Sequence, residues 1–187
     1  CLGRGGFGSV YVCRSLPGVG GGQPLAVKKY DRVDQNGPLQ SSFMQEVLVL
    51  GASLHENIVP ILAFSADNPS SWCVLMPLMT GGALHDRLFP SLSSCAARLS
   101  ALGHSLPVAP LPFDVRLRLL ADVARGLSFL HSPDLPSAKP CILHRDVKAS
   151  NVLLFSADGG VLRARLSDAG LARHSPELHP SGGGDGG

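Results

Sequence analysis

Apolar and polar positions along the 187-residue chain follow two periods, and the switches between them mark the elements. The β-branched and aromatic run Tyr11, Val12, Cys13 leads out of a glycine-rich stretch and predicts a strand. A turn, PGVGGGQP from Pro17 to Pro24, separates it from LAVKKY, Leu25 to Tyr30, which reads as the returning strand. The period then lengthens: Phe43, Val47 and Leu50 share one face of a helix expected over Leu39 to Ser53. Ile58 to Ser65 and Trp72 to Met76 are strand-like and are split by the turn ADNPSS. Gly81 and Gly82 break the chain before a short helix, Ala83 to Leu88. The clearest helix is Asp114 to His131, with an apolar stripe of Leu117, Leu120, Ala124, Leu127 and Leu130 or His131. Strands follow at Ile142–Leu143, Val152–Phe155 and Leu162–Leu166, the last two joined by a turn at Asp158–Gly160. No internal repeat is visible. Residues 90–112 are rich in Ser, Ala, Leu and Pro and read as a mobile insertion.

Composition narrows the class. With 44% hydrophobic residues the chain can bury a core. A net charge of +2 and 5% aromatic residues give no basic surface interleaved with stacking rings, so a nucleic-acid partner is not expected. No apolar run approaches membrane-spanning length, and no secretory leader is seen, so no membrane contact is expected from this segment. The five cysteines, Cys1, Cys13, Cys73, Cys95 and Cys141, are scattered and contain no C-x-x-C pair. That argues against a disulfide framework or zinc site and fits a reducing compartment.

The candidate chemistry begins at GRGGFGSV. Gly3, Gly5 and Gly8 have the G-x-G-x-x-G spacing. A dinucleotide site needs a strand before such glycines and a helix after them, whereas SVYVC follows here. Backbone without side chains can instead lie over a triphosphate and offer its N–H groups. Asp31 stands near the distance of a ribose-binding acid, a weak signal alone. Lys28 on the returning strand would neutralise phosphate oxygens, and Glu46 on the next helix could fix it in an ion pair, although Glu46 alone reads as an ordinary helix surface charge.

The run HRDVKASNVLL, His144 to Leu154, packs a carboxylate (Asp146), a cation (Lys148) and an amide (Asn151) into one polar loop between apolar segments. A second carboxylate, Asp168, follows in LSDAGLAR. One acid can accept a hydroxyl proton while the other, with an amide oxygen, holds Mg²⁺ against phosphate.

Taken in order, GRGGFGSV, LAVK, a helix glutamate, HRDVKASN and DAG resemble the motif set of a eukaryotic protein kinase domain of the serine/threonine type. HENIVPILAF and MTGGALHDRL resemble the plant receptor-like and receptor-like cytoplasmic kinases. The resemblance implies an α+β, two-lobed fold: an N-lobe antiparallel sheet with its helix C over residues 1–76, a hinge at 77–79, and an incomplete helical C-lobe over 80–187, ending in the Gly-rich 181–187. The chain is expected to be a partial domain whose first strand is a stub, and this stretch expressed alone to be poorly soluble and inactive.

By the same resemblance, Leu2, Gly3, Gly5, Gly6, Phe7 and Gly8 would cover the nucleotide. Val10 and Ala26 would lie above the adenine and Leu153 below it. Lys28 would contact phosphates and pair with Glu46, Met76 would be the gatekeeper, and Pro77 and Met79 would present hinge backbone. Asp146 would take the substrate hydroxyl's proton, Lys148 would steady the transferred group, and Asn151 and Asp168 would bind Mg²⁺. Implied cofactors are ATP and Mg²⁺; the implied partner is a protein substrate. The implied location is the cytoplasm, or the cytoplasmic face of a membrane if the full-length chain is receptor-like. Arg145 suggests control by activation-loop phosphorylation, with Ser175 and Ser181 the hydroxyls left in that segment. Ala169 stands where the family carries an aromatic ring packed near Leu50, Ile61 and His144, so the active arrangement is expected to be less firmly held. A pseudokinase-type nucleotide-binding or scaffold module is the alternative. A small-molecule phosphotransferase fits HRDVKASN less well.

Overall fold

Strands, helices and loops are described here from a computed structural model over residues 1–6, 8–13, 16–31, 37–68, 71–89, 99–101, 103, 110–133 and 140–175. Phe7, Cys95 and Ser181 lie outside these described residues.

Among the described residues an antiparallel sheet runs β1 (Gly3–Gly5), β2 (Gly8–Cys13), β3 (Leu25–Tyr30), β5 (Cys73–Pro77), β4 (Ala63–Ser65). β1 and β2 form a hairpin, with Gly3 opposite Val10 and Gly5 opposite Gly8. Gly8 also stands opposite Tyr30 with φ 144°, and a Cβ there would lie 2.0 Å from the Lys29 carbonyl oxygen. Only glycine lets the hairpin lie this close to β3. Helix α1 (Pro38–Ala52) starts with proline in its first turn, where no N–H is needed, and turns Ser42, Phe43, Glu46, Val49 and Leu50 inward.

Past β5 come the short helix α2 (Leu84–Leu88), the long helix α3 (Phe113–His131), β6 (Ile142–Leu143), β7 (Val152–Ser156), β8 (Leu162–Leu166) and β9 (Arg173–His174). β7 pairs antiparallel with β8, and β6 with β9. Two buried clusters result. One lies between the sheet and α1 and includes Tyr30, Phe43, Trp72 and Met76. The other joins α3, β7 and β8 through Leu119, Leu130, Leu154 and Leu166 and takes in Leu50 and Ala169. This is the expected α+β arrangement of an antiparallel sheet with its helix beside a helix-based second part.

Two expectations need correction. The α3 stripe is out of phase: Leu117 and Leu120 are 51% and 60% exposed, while Leu119, Asp122, Gly126 and Leu130 face the core. A Cβ at Gly126 would lie 2.9 Å from the Asn57 carbonyl oxygen, so the inward face is set by close backbone approach rather than by bulk. Residues 58–62 are not strand. Val59 N–H donates to the Leu166 carbonyl, and Ile58 bridges to Leu166, which ties this stretch to β8. Most of the segment 90–112, expected to be a mobile insertion, lies outside the described residues; of those described, Leu99 and Leu111 are buried.

Candidate active site

The site is assembled where β3, α1 and the loops around β7 and β8 converge. Side chains on a strand alternate, so β3 turns Lys28 and Tyr30 inward and Lys29 outward. Lys28 Nζ donates to Glu46 Oε2 at 2.6 Å and to Asp168 Oδ1 at 2.9 Å. Lys28 therefore joins helix α1 to the loop after β8, 140 residues apart in sequence. Burial alone would lower the lysine's pKa; the carboxylates of Glu46 and Asp168 outweigh it and hold it above its ordinary value. Glu46 is 1% exposed, which corrects its reading as a surface charge. Burial pushes its carboxyl up, opposed by Lys28 and by the Tyr30 hydroxyl, which also donates to Oε2. The sequence reading missed Tyr30, because nothing local distinguishes it from a core aromatic.

The polar loop 144–151 is held from beneath. The buried His144 presents Nε2 to the Ser167 carbonyl at 3.1 Å, and its Nδ1 accepts the Asp146 N–H at 3.4 Å. A carbonyl can only accept, so Nε2 carries the proton of a neutral ring. Burial depresses the His144 pKa, which keeps it in that form. Asn151 Nδ2 donates to the Asp146 carboxylate at 2.8 Å and to its carbonyl at 2.9 Å, while Lys148 Nζ reaches the same carboxylate at 2.8 Å. The Ser167 N–H and hydroxyl both donate to the Asn151 carbonyl, so this loop and the Asp168 loop are locked together. Arg145 and Asp168 have φ of 64° and 60°, the left-handed region that costs a non-glycine residue about 1–3 kcal/mol and clusters at functional sites.

A cavity of about 460 Å³ opens between these groups. Of the predicted nucleotide residues, Leu2, Gly3, Gly5, Val10, Ala26, Lys28, Glu46, Met76, Pro77, Met79 and Leu153 line it, as do Asn151 and Asp168. Gly6 and Gly8 do not, and Phe7 is outside the described residues. Asp146 and Lys148 stand just behind the lining, linked to it through Asn151. Leu78 of the expected hinge lines it as well, and Arg4, Asp86, Leu99 and Ser167 also line the cavity and were not anticipated. Leu99 had no signal, since its segment carries no periodicity. A second groove of about 650 Å³, bounded by α3 and the β7–β8 turn, is lined by Arg87 and Arg118 but by no carboxylate among the described residues.

Ala169 is fully buried beside these loops. The following Gly170 lies so near α1 that a Cβ would meet Ser42 Oγ at 2.2 Å. The segment after Asp168 is thus seated on the helix that carries Glu46.

Among the described residues no group of three or more His, Cys, Asp or Glu could hold a metal ion, and no helix is long and apolar enough to cross a membrane. Among the described residues, Cys1, Cys13, Cys73 and Cys141 form no disulfide.

A family model described as protein tyrosine and serine/threonine kinase matches residues 1–181. The chain is 37% identical over 179 residues to the serine/threonine-protein kinase PBS1 of Arabidopsis thaliana, a match covering 94% of this chain and 32% of that protein. It is 36% identical over 179 residues to a probable receptor-like protein kinase of the same plant, covering 94% and 24%. It is also 33% identical over 180 residues to an EPD1-interacting receptor-like cytoplasmic serine/threonine-protein kinase of Nicotiana benthamiana, covering 94% and 33%. The chain spans a quarter to a third of the length of these relatives.

Proposed function

Because the chain belongs to the protein tyrosine and serine/threonine kinase family, we propose that it provides the nucleotide site and catalytic loop for transfer of the γ-phosphoryl group of ATP to serine or threonine hydroxyls of protein substrates. The observation that carries this reading is Lys28, which bridges Glu46 and Asp168 at the edge of a cavity that Asn151 also lines, with Asp146 held directly behind Asn151. We take residues 1–76 as the small lobe, 77–79 as the hinge and 80–187 as belonging to the large lobe.

Phosphoryl transfer asks mainly for positioning and for neutralising charge. Val10, Ala26, Met76 and Leu153 give the cavity an apolar slot suited to a purine base. The β1–β2 hairpin and Lys28 supply N–H groups and a cation for the phosphates. Asp146, held by Asn151 and by the His144-anchored backbone, accepts the proton of the incoming hydroxyl. Lys148 contacts that carboxylate and balances charge near the transferred group. The family generally uses Mg²⁺ with ATP, and a donor set of one carboxylate and one amide suits an ion that takes the rest of its shell from phosphate and water. Asp168 and Asn151 would hold it, and it would neutralise the phosphate oxygens. Lys148, two residues after Asp146, and the serine/threonine kinases among the relatives favour hydroxyls of serine and threonine over tyrosine.

The test is transfer of labelled phosphate from ATP to serine-, threonine- and tyrosine-bearing peptides by the complete kinase domain that contains this stretch and by its Asp146→Ala variant. The expected result is labelling of serine and threonine peptides, reduced by about a hundredfold or more in the variant. Equal labelling by both proteins would refute catalysis. ATP binding without labelling would favour the non-catalytic module, the reading to which Ala169 lends support.

A further inference from the structure

Tyr30 lies two residues beyond Lys28 on β3, and both side chains donate to Oε2 of Glu46. We infer that Tyr30 is a positioning residue for this site: its hydroxyl holds Glu46 in place while Lys28 is engaged by a nucleotide phosphate. The inference rests on the nucleotide-site reading above.

The argument is one of donor supply. A carboxylate 1% exposed needs donors that stay with it. The Lys28 ammonium has three N–H groups and is already divided between Glu46 and Asp168. A phosphate arriving at Lys28 competes for the same ammonium, and any slackening on the Glu46 side leaves a buried charge short of a partner. Tyr30 cannot follow the phosphate. It is fully buried, and its ring is set edge-on against Phe43 of α1, centroids 5.1 Å apart and planes at 89°. Its hydroxyl therefore remains on Glu46. Burial, reinforced by Glu46, pushes the phenol's pKa far up, so the hydroxyl keeps its proton and remains a donor. The same ring lies 5.2 Å from Lys28 Nζ, a cation–π contact that limits how far the lysine can swing. Phenylalanine would fill the ring's space equally well, so the hydroxyl is what the inference concerns.

The experiment is a double-mutant cycle on the whole chain. Affinity for a non-hydrolysable ATP analogue with Mg²⁺ is measured by calorimetry for wild type, Tyr30→Phe, Glu46→Gln and the double variant. Tyr30→Phe is expected to weaken binding about tenfold when Glu46 is present and less than about twofold in the Glu46→Gln background. Equal losses in the two backgrounds, or no loss in either, overturn the inference. A wild-type chain that binds no nucleotide overturns the nucleotide-site reading and the inference with it. A second readout needs neither nucleotide nor a change at Tyr30. A phenol proton bonded to a buried carboxylate gives a downfield proton resonance, expected in wild type and moved upfield by Glu46→Gln. Its absence, or its persistence unshifted in that variant, overturns the inference even if Tyr30→Phe fails to fold.

Discussion

Glu46 and Asp122 are both carboxylates buried among cations, yet their surroundings differ in kind. Asp122 on α3 is fully buried and saturated: it accepts from Arg163 Nε at 2.9 and 3.1 Å, from the Ala164 N–H at 2.9 Å and from Arg125 Nη2. Burial alone would raise its pKa, but these donors outweigh it and hold the carboxyl below its ordinary value. Among the described residues Glu46 has two donors, one of them a lysine shared with Asp168, and burial leaves its carboxyl pushed up. Asp122 lines neither cavity described here; Glu46 lines the one that holds Lys28, Asn151 and Asp168. A closed, saturated charge ties α3 to β8, whereas an under-supplied charge beside a cavity stands ready to respond to a ligand. Charge burial alone does not tell the two apart; the count of donors and the open side do.

The largest effect on stability is expected at the saturated site. Asp122→Ala removes the buried acceptor of Arg163 Nε, leaving Arg163 its more distant pair with Glu56, and removes the acceptor of the Ala164 N–H; it should destabilise the fold by about 3 kcal/mol in urea unfolding. A loss under about 1 kcal/mol would mean that the network is ornamental.

Next comes pH. A carboxyl with a lowered folded-state pKa contributes stability above its unfolded pKa, and that stability is lost as pH falls through the folded value. Asp122 should therefore make the fold weaken on acidification below about pH 4, and Asp122→Asn should flatten that limb. His144, depressed by burial, acts in the same direction at higher pH: its contribution is present above the ordinary histidine range and lost as pH falls below it. Glu46 has the opposite sign. Its raised pKa gives stability at low pH that is lost as pH rises through the folded value, and Glu46→Gln should remove that decline. Unfolding free energies measured across a pH series read all three.

Gly170→Ala should cost about 1–2 kcal/mol because its Cβ meets Ser42 Oγ. Ser42→Ala should restore most of that, since the next side-chain contact is 3.5 Å away. Additive losses in the double variant would show that the clash is relieved elsewhere. Smallest is the stability effect of Glu46→Gln near neutral pH, within about 1 kcal/mol, because Lys28 keeps Asp168 as its partner and the site no longer buries the glutamate charge.

Much of the site was legible because its chemistry imposes spacing. Lys28, Asp146, Asn151 and Asp168 stand in motifs whose order is informative before any fold is known, and the structure gathers them at one cavity or directly behind it. β3, the β7–β8 hairpin and both longer helices were also legible, within a residue or so at their ends. What escaped depends on long-range pairing. α3 carries leucines in two phases, and the inward one is chosen by Gly126 and Asp122, residues that an apolar pattern discounts. The strand expected over residues 58–62 failed because Val59 pairs its N–H with Leu166, more than a hundred residues away. Tyr30 looked like core until its hydroxyl was found on Glu46.

The most direct test of the central claim is calorimetric binding of ATP with Mg²⁺ to the wild-type chain, to Lys28→Met and to Arg125→Lys. Lys28→Met should weaken binding by about a hundredfold, through loss of a charged donor to phosphate, while Arg125→Lys, whose partners Asp122, Asn57 and Glu56 all lie off the cavity lining, should leave it unchanged. Equal affinity of Lys28→Met and wild type would contradict a nucleotide site built around Lys28.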